Sequence, residues 1–283
     1  MKRILQGVAL LSTAMICQTA SALVIDSTST DGAAMAAALV GSGITISNVS
    51  YIGGANQSGF FSGGSSVLGI DTGLILTTGD AQDAPGPNSS SSTSTNVGGA
   101  GDADLTGLIS GSTSDAAVLS FDFESTSGNL FFNYVFASEE YNEFVNTNFN
   151  DVFAFFINGA NIAEAPDGQA VSINNVNCGN PFSGSGPNCS SYNNNAGALF
   201  DIEYDGFTDV FTASILGLGA GVNTIKIAIA DVGDSSLDSA VFLQANSFSD
   251  VPPDVIPVPE PGSLALLLMG LGGLVASRRR SHS

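Results

Sequence analysis

The sequence predicts a mainly β protein, a jelly-roll-like β-sandwich with one short helix near its start. Short apolar runs rich in Val, Ile and Phe recur through the chain, and clusters of Gly, Asn, Asp and Ser separate them. All 18 Phe fall between residues 23 and 258, mostly inside those runs, as a buried core requires. Helix signals gather at one place only.

Lys2 and Arg3, an apolar stretch, then Ala20-Ser21-Ala22 form a secretory signal peptide, residues 1–22, cut after Ala22. Asp31 opens "DGAAMAAALVGSG", an N-cap, an Ala-rich apolar run and a closing Gly41, read as the helix. Strands are expected at 44–52, 73–78, 117–124, 129–137, 151–158, 170–176, 199–204, 207–214, 222–231 and 237–246. "NLFFNYVFAS" and "DVFAFFIN" are apolar on both faces, so both sides of those strands must be covered. In "VNTIKIAIAD", Ile225, Ile227 and Ile229 face one way and Thr224 and Lys226 the other. Residues 83–107, rich in Ser, Thr and Gly, are too long for a tight connection: a mobile insertion, or a loop ordered by an ion. Residues 251–258 form a Pro-rich spacer that ends the 23–250 domain.

The chain's last segment, 259–283, has three parts. Pro259, Glu260 and Pro261 precede an apolar run, 262–276, and Arg278, Arg279 and Arg280 follow it. As a helix that run spans about 22 Å, short of the roughly 30 Å hydrocarbon core but enough for a tilted or temporary transmembrane helix. The arginines stay cytoplasmic and the rest of the chain is exported.

Charge narrows the partners. Residues 23–258 hold 25 acids against one lysine, Lys226, and contain no Arg, His or Trp. Such a field repels nucleic acid and anionic membrane, leaving the C-terminal helix as the membrane contact. Cys178 and Cys189 remain after signal cleavage, an even pair in an oxidising compartment, and predict a disulfide. A Cys-based metal site would need two further soft ligands, which the segment lacks.

"YVFASEEYNEFVNTNFNDVFAFFI" sets Glu139, Glu140, Glu143 and Asp151 between two apolar strands, and "ADVGDSSLDSAVF" adds Asp231, Asp234 and Asp238. No Arg or His can neutralise them, and Lys226 can serve one site at most. Glu139, Glu140, Asp151, Asp231, Asp234 and Asp238 are therefore candidate ligands for Ca²⁺, which takes six to eight oxygens in flexible geometry. The competing expectation is a set of separately solvated turns, since Asp commonly caps its own turn. "DADLTG", from Asp102, matches the start of an EF-hand loop, but Thr113 stands where its Glu belongs.

Without His a Ser–His–Asp triad cannot form, and a carboxylate pair acting on a glycoside would have to come from Glu139, Glu140 and Glu143. For sugar binding without catalysis, Tyr141, Tyr192 and Tyr204 with the Asn run 193–195 offer stacking and amide groups; burial in the core or in a disulfide-tied turn is the alternative.

The three-part tail resembles the PEP-CTERM sorting signal. That resemblance implies a Gram-negative envelope, passage through the Sec translocon and signal peptidase, transient inner-membrane anchoring, exosortase cleavage near residues 259–261, and delivery to the cell surface or matrix. The order "ALVGSGITISNVSYIGG", "GIDTGLILTTGD", the SEEY block with its NDVF, "VSINNVNC" and "IADVGDSSLDSAVFL" resembles the choice-of-anchor L domain. It implies an exported β-rich surface domain and no defined activity. The expectation is a non-enzymatic structural or adhesive protein of an exopolysaccharide or biofilm setting, stabilised by Ca²⁺, with exopolysaccharide or other surface proteins as partners. A Ca²⁺-dependent carbohydrate-binding module comes second and a glycosidase third.

Overall fold

The computed structural model describes residues 22–253. Ala20, the sorting residues Pro259, Glu260, Pro261, Arg278, Arg279 and Arg280, and the span expected at 262–276 lie outside the described residues. Among the described residues no helix is long and apolar enough to cross a membrane. In chain order the elements are β1 (Val24–Thr28), α1 (Gly32–Leu39), β2 (Ile44–Ile52), β3 (Ser58–Ser62), β4 (Gly73–Thr77), α2 (Ala103–Thr106), β5 (Thr113–Ser125), β6 (Leu130–Ser138), β7 (Val152–Ile157), β8 (Ala160–Asn161), β9 (Val171–Ser172), β10 (Tyr192–Asn194), β11 (Gly206–Thr208), β12 (Phe211–Ile215), β13 (Asn223–Val232) and β14 (Ser239–Gln244).

The strands form two antiparallel sheets. The first runs β1-β3-β4-β14-β6-β11-β10, with β12 also on β6; the second runs β2-β5-β13-β7-β8, with β9 on β7. Alternation along each strand sends one set of side chains between the sheets. Phe132, Tyr134 and Phe136 of β6 and Val241 and Leu243 of β14 meet Phe121 and Phe123 of β5, Phe153 and Phe155 of β7 and Ile225, Ile227 and Ile229 of β13.

The other faces are covered too, as the two-sided apolar strands require. Val135, Ala137, Ala240 and Phe242 lie on the first sheet's outer face under Ile202, Tyr204 and Phe207. Val152, Ala154, Ala228 and Ala230 lie on the second sheet's outer face under Leu105. Lys226 stands on that outer face, 2.5 Å from Asp102 and 2.7 Å from Asp104, with its ammonium over Phe156. The EF-hand-like Asp102 instead caps α2, accepting from the Asp104 and Leu105 N–H groups.

Asp31 caps α1 by accepting from the Ala34 N–H. The helix stops at Val40, in extended conformation, one residue before the expected Gly41. Residues 199–204 are not a strand, and of 170–176 only β9 is. The run expected at 207–214 divides into β11 and β12, while β1, β3, β8, β10 and the short α2 lie outside the expected elements.

After β14 the chain inserts Phe248 between the sheets, its ring 5.3, 5.2, 5.9 and 6.3 Å from those of Phe121, Phe123, Phe132 and Phe155. Ser249 then exchanges backbone hydrogen bonds with Phe131 at the start of β6. The described chain therefore leaves the sandwich at the end where β6 begins.

Cys178 and Cys189 form the predicted disulfide, closing a loop of sequence separation 11. Opening it by Cys178→Ala with Cys189→Ala is expected to cost about 2–3 kcal/mol through the entropy returned to the unfolded chain. Urea unfolding would check this; a loss below about 0.5 kcal/mol would show that the loop is held by its hydrogen bonds alone.

Candidate functional site: a buried acidic pole

At the far end of β6 the strand pattern runs on into the acids. Ser138 pairs with Gly206 of β11 on one side and with Ser239 of β14 on the other. One residue further along these antiparallel registers, Glu139 falls opposite Asp205 and opposite Asp238, and its N–H donates to the Asp238 carbonyl at 3.1 Å. Directly opposite residues share a face. By alternation that face belongs to Val135, Ala137, Phe207, Ala240 and Phe242, the outer side of the first sheet.

Glu140 follows in the bend after β6, where its N–H donates to the Ser138 hydroxyl at 2.9 Å and its carboxyl feels the Asp151 charge. Inner alternation brings in Asp151 ahead of Phe153, and Asp231 after Ile229. Asp151 is fully bonded there: it accepts from the Val232 N–H at 2.9 Å and from the Ser239 hydroxyl at 2.6 Å. Glu139, Asp205 and Asp238 thus share the outer side, Asp151 and Asp231 lie between the sheets, and Glu140 stands in the bend near Asp151.

A Ser/Thr strap from the long 83–107 loop closes the outer side. Asn88 donates to Asp205 at 2.6 Å, and the Ser89 N–H (3.0 Å) and Thr93 hydroxyl (2.7 Å) donate to Glu203. The Thr95 N–H donates to Asp238 at 2.9 Å, and the Val97 and Gly99 N–H groups donate to Asp115. Asp238 packs on Gly79, where a Cβ would come within 1.6 Å of its carboxylate oxygen, so this position must remain glycine. Leu237, at φ +66°, turns the chain into Asp238 and donates its N–H to Ser94.

Those donors do not satisfy the acids. Glu139, Glu140, Asp151, Asp231 and Asp238 are each at most 3% exposed, and Asp205 is 1% exposed. Both carboxylate oxygens of Glu139, Glu140 and Asp231, one of Asp205 and one of Asp238 are buried with no hydrogen-bond partner, eight in all. The Thr78 hydroxyl accepts from the Ser239 N–H at 3.0 Å and lies close enough to Asp231 to offset part of the cost of its burial. Bare buried carboxylates are costly, so they hold their protons.

Burial, then the Asp205, Glu203 and Asp238 charges, pushes Glu139 up to about 9. Burial and the Asp151 charge push Glu140 up to about 9. Asp238 rises to about 7 and Asp205 to about 6, burial outweighing their hydrogen bonds. Asp151 and Asp231 are both raised, chiefly by burial, and Asp231 further by the Asp151 charge beside it.

Of the six acids expected to gather, five are buried at this pole, and Asp234 is exposed on the loop outside it. They do not surround a single point: among the described residues no three His, Cys, Asp or Glu stand as a ready metal centre. Sequence reasoning missed Asp115, Glu203 and Asp205. The alternation in "DIEYDGF" sets acids against apolar residues, but 199–204 is expected as a strand rather than as a segment laid over a sheet. Tyr141 and Tyr192 are buried and donate to the Val176 carbonyl and to Asn142, and Tyr204 is buried in the outer cluster. Asn195 is buried and ties the 195–204 turn through Ile202 and Tyr204.

A two-sheet sandwich followed by a three-part export tail defines an exported surface protein. The model of the choice-of-anchor L domain matches residues 24–249, and the chain belongs to that family. The PEP-CTERM protein-sorting motif matches residues 257–281. That motif points to processing by exosortase and to export to the envelope or surface of a Gram-negative bacterium. No curated protein matches the chain significantly, nor does any solved structure.

Proposed function

We propose that this protein is a non-enzymatic structural or adhesive component of the cell surface or matrix, whose fold is completed by Ca²⁺ at the acidic pole. The observation that supports it is the set of eight unpartnered, buried carboxylate oxygens in a domain whose single lysine is engaged on another face. Bound among Glu139, Glu140, Asp151, Asp205, Asp231 and Asp238, the metal would supply the positive charge the pole lacks. The donor set fits a hard cation: carboxylates with hydroxyls and carbonyls beside them, and no nitrogen or sulfur. Calcium suits it better than Mg²⁺, which keeps its water and demands octahedral geometry. Signal-peptide removal, transient anchoring through 262–276 and release by exosortase would leave the domain with exopolysaccharide or other surface proteins as its partners.

The test is thermal unfolding of the full chain in mild detergent, in EDTA, millimolar Ca²⁺ or Mg²⁺ at matched ionic strength. Calcium at about 100 times its Kd adds roughly 2.7 kcal/mol, a rise of about 5–10 °C for a domain of this size. The rise should vanish when Asp231→Asn and Asp238→Asn are combined. Equal effects of Ca²⁺ and Mg²⁺ would reduce the pole to general charge screening.

A further inference from the structure

We propose that the loop between β12 and β13, residues 216–222, rests with Val251 on the surface of the phospholipid bilayer that holds the C-terminal tail. This deepens the reading of a transiently anchored surface protein and rests on it.

The loop's composition carries the argument. Its sequence is Leu-Gly-Leu-Gly-Ala-Gly-Val, seven residues without one polar side chain. The stretch free of charge is longer still, 210–225, between Asp209 and Lys226. The connections at 83–107 and 178–191 are by contrast full of hydroxyl and amide side chains. Leu218 turns inward and packs against the main core, while Leu216 and Val222 on either side of it are 67% and 62% exposed. Hydrogen bonds hold the loop in this shape: the Leu218 N–H donates to the Gly128 carbonyl at 2.7 Å, and the Asn223 amide donates to the Gly221 carbonyl at 3.2 Å.

The loop stands at the end where the described chain leaves the sandwich. Ile215, just before it, pairs with Leu130, the first residue of β6, and Asn223, just after it, pairs with Phe123 of β5. Ser249 bonds to Phe131 at the same strand end, and the Ser127 hydroxyl in the β5–β6 turn donates to the Asp250 carbonyl at 3.3 Å. Val251, 53% exposed, follows directly. Three of the seven large apolar side chains exposed among the described residues are thus gathered at this end.

The tether points to the occupant. Ten residues, 252–261, separate Val251 from the apolar run at 262–276, and at about 3.1 Å per residue a Pro-rich linker of that length spans about 31 Å. Contact with the bilayer is then intramolecular, so weak apolar contacts suffice. Leu and Val gain by entering the boundary between headgroups and acyl chains, and a loop without charge brings no ion into it. A protein partner would call for hydrogen-bonding side chains around its rim, which the loop lacks.

The full chain after signal cleavage, reconstituted in phosphatidylcholine vesicles, tests the assignment. Ala220→Cys at the exposed loop tip carries an environment-sensitive fluorophore, the native cysteines being paired. Its emission should shift to the blue and be quenched by nitroxide-labelled lipid. A label at Ser236→Cys, on the exposed turn beside Asp234, should show neither effect. Leu216→Ser, Val222→Ser and Val251→Ser together should abolish both signals at 220 while the protein still floats with the vesicles; all three positions are exposed, so the core is untouched. A floating protein whose 220 label is not quenched, or quenching that survives the triple variant, would overturn the docking while the anchored reading stands. Failure to float would end both. A blue shift without lipid quenching, together with cross-links between chains, would make the occupant a second copy and overturn the lipid assignment.

Discussion

In EDTA the protein is expected to become less stable as the pH rises from about 5 to about 8, the reverse of the usual behaviour of carboxylates. Glu139 and Glu140 keep their protons in the folded state up to about 9, whereas in the unfolded chain they release them at their ordinary values near 4.5. Between those limits the folded state binds more protons than the unfolded one, so stability is fully present below the lower value and lost towards the upper. One such extra proton tilts stability by about 1.4 kcal/mol per pH unit, hence about 4 kcal/mol over three units. For a domain of this size that is a fall of roughly 10 °C in Tm. Asp205 and Asp238 add to it at the acid end of the window, with values of about 6 and about 7. Saturating Ca²⁺ should flatten or invert the profile, because the ion displaces the protons. Differential scanning fluorimetry across this range, with and without the metal, reads both curves. A metal-free Tm that climbs from pH 5 to 8 would mean that the pole is hydrated and charged.

Phe248→Ala is expected to cost about 3–5 kcal/mol, the range for removing a fully buried aromatic side chain. The ring is fully buried and touches rings from both sheets, edge-on to Phe121, Phe123 and Phe132. Its removal leaves a void among side chains fixed by their own strands, so little can collapse into it. The backbone on either side is tied down as well, by Phe248 N–H to Leu39 and Gly41 N–H to Phe248. The midpoint of urea unfolding measures the loss, and a cost below about 1 kcal/mol would show that the tail is an appendage rather than a seal.

What could be read from the residues follows from period. β2 falls at its expected bounds, and β6, β7 and β13 fall within a residue or two, because dense apolar runs between turn residues have few other uses. Lys226 opposite the isoleucine row was legible for the same reason. The pole was legible in part. A shortage of cations is a property of composition, and it pointed to Glu139, Glu140, Asp151, Asp231 and Asp238. Asp234 differs from these only in standing on the outward side of its turn, which no composition records. Asp205 enters through a pairing with β6 that spans 68 residues of chain, from Ser138 to Gly206. The strap eluded sequence reasoning because Ser and Thr bonded to buried acids look the same in sequence as Ser and Thr bonded to water.

The chain leaves the sandwich beside the first residues of β6, and the acids lie past its last. The strand between them, β6, has 9 residues, so at about 3.3 Å per residue roughly 30 Å separate the two ends. A protease that severs the tether works at one end, while ions enter and leave at the other. In the proposed reading, detachment from the cell and loading with metal would then be independent events: a molecule held at the membrane would turn its acidic end outward, and the same end would be unchanged once the molecule is free.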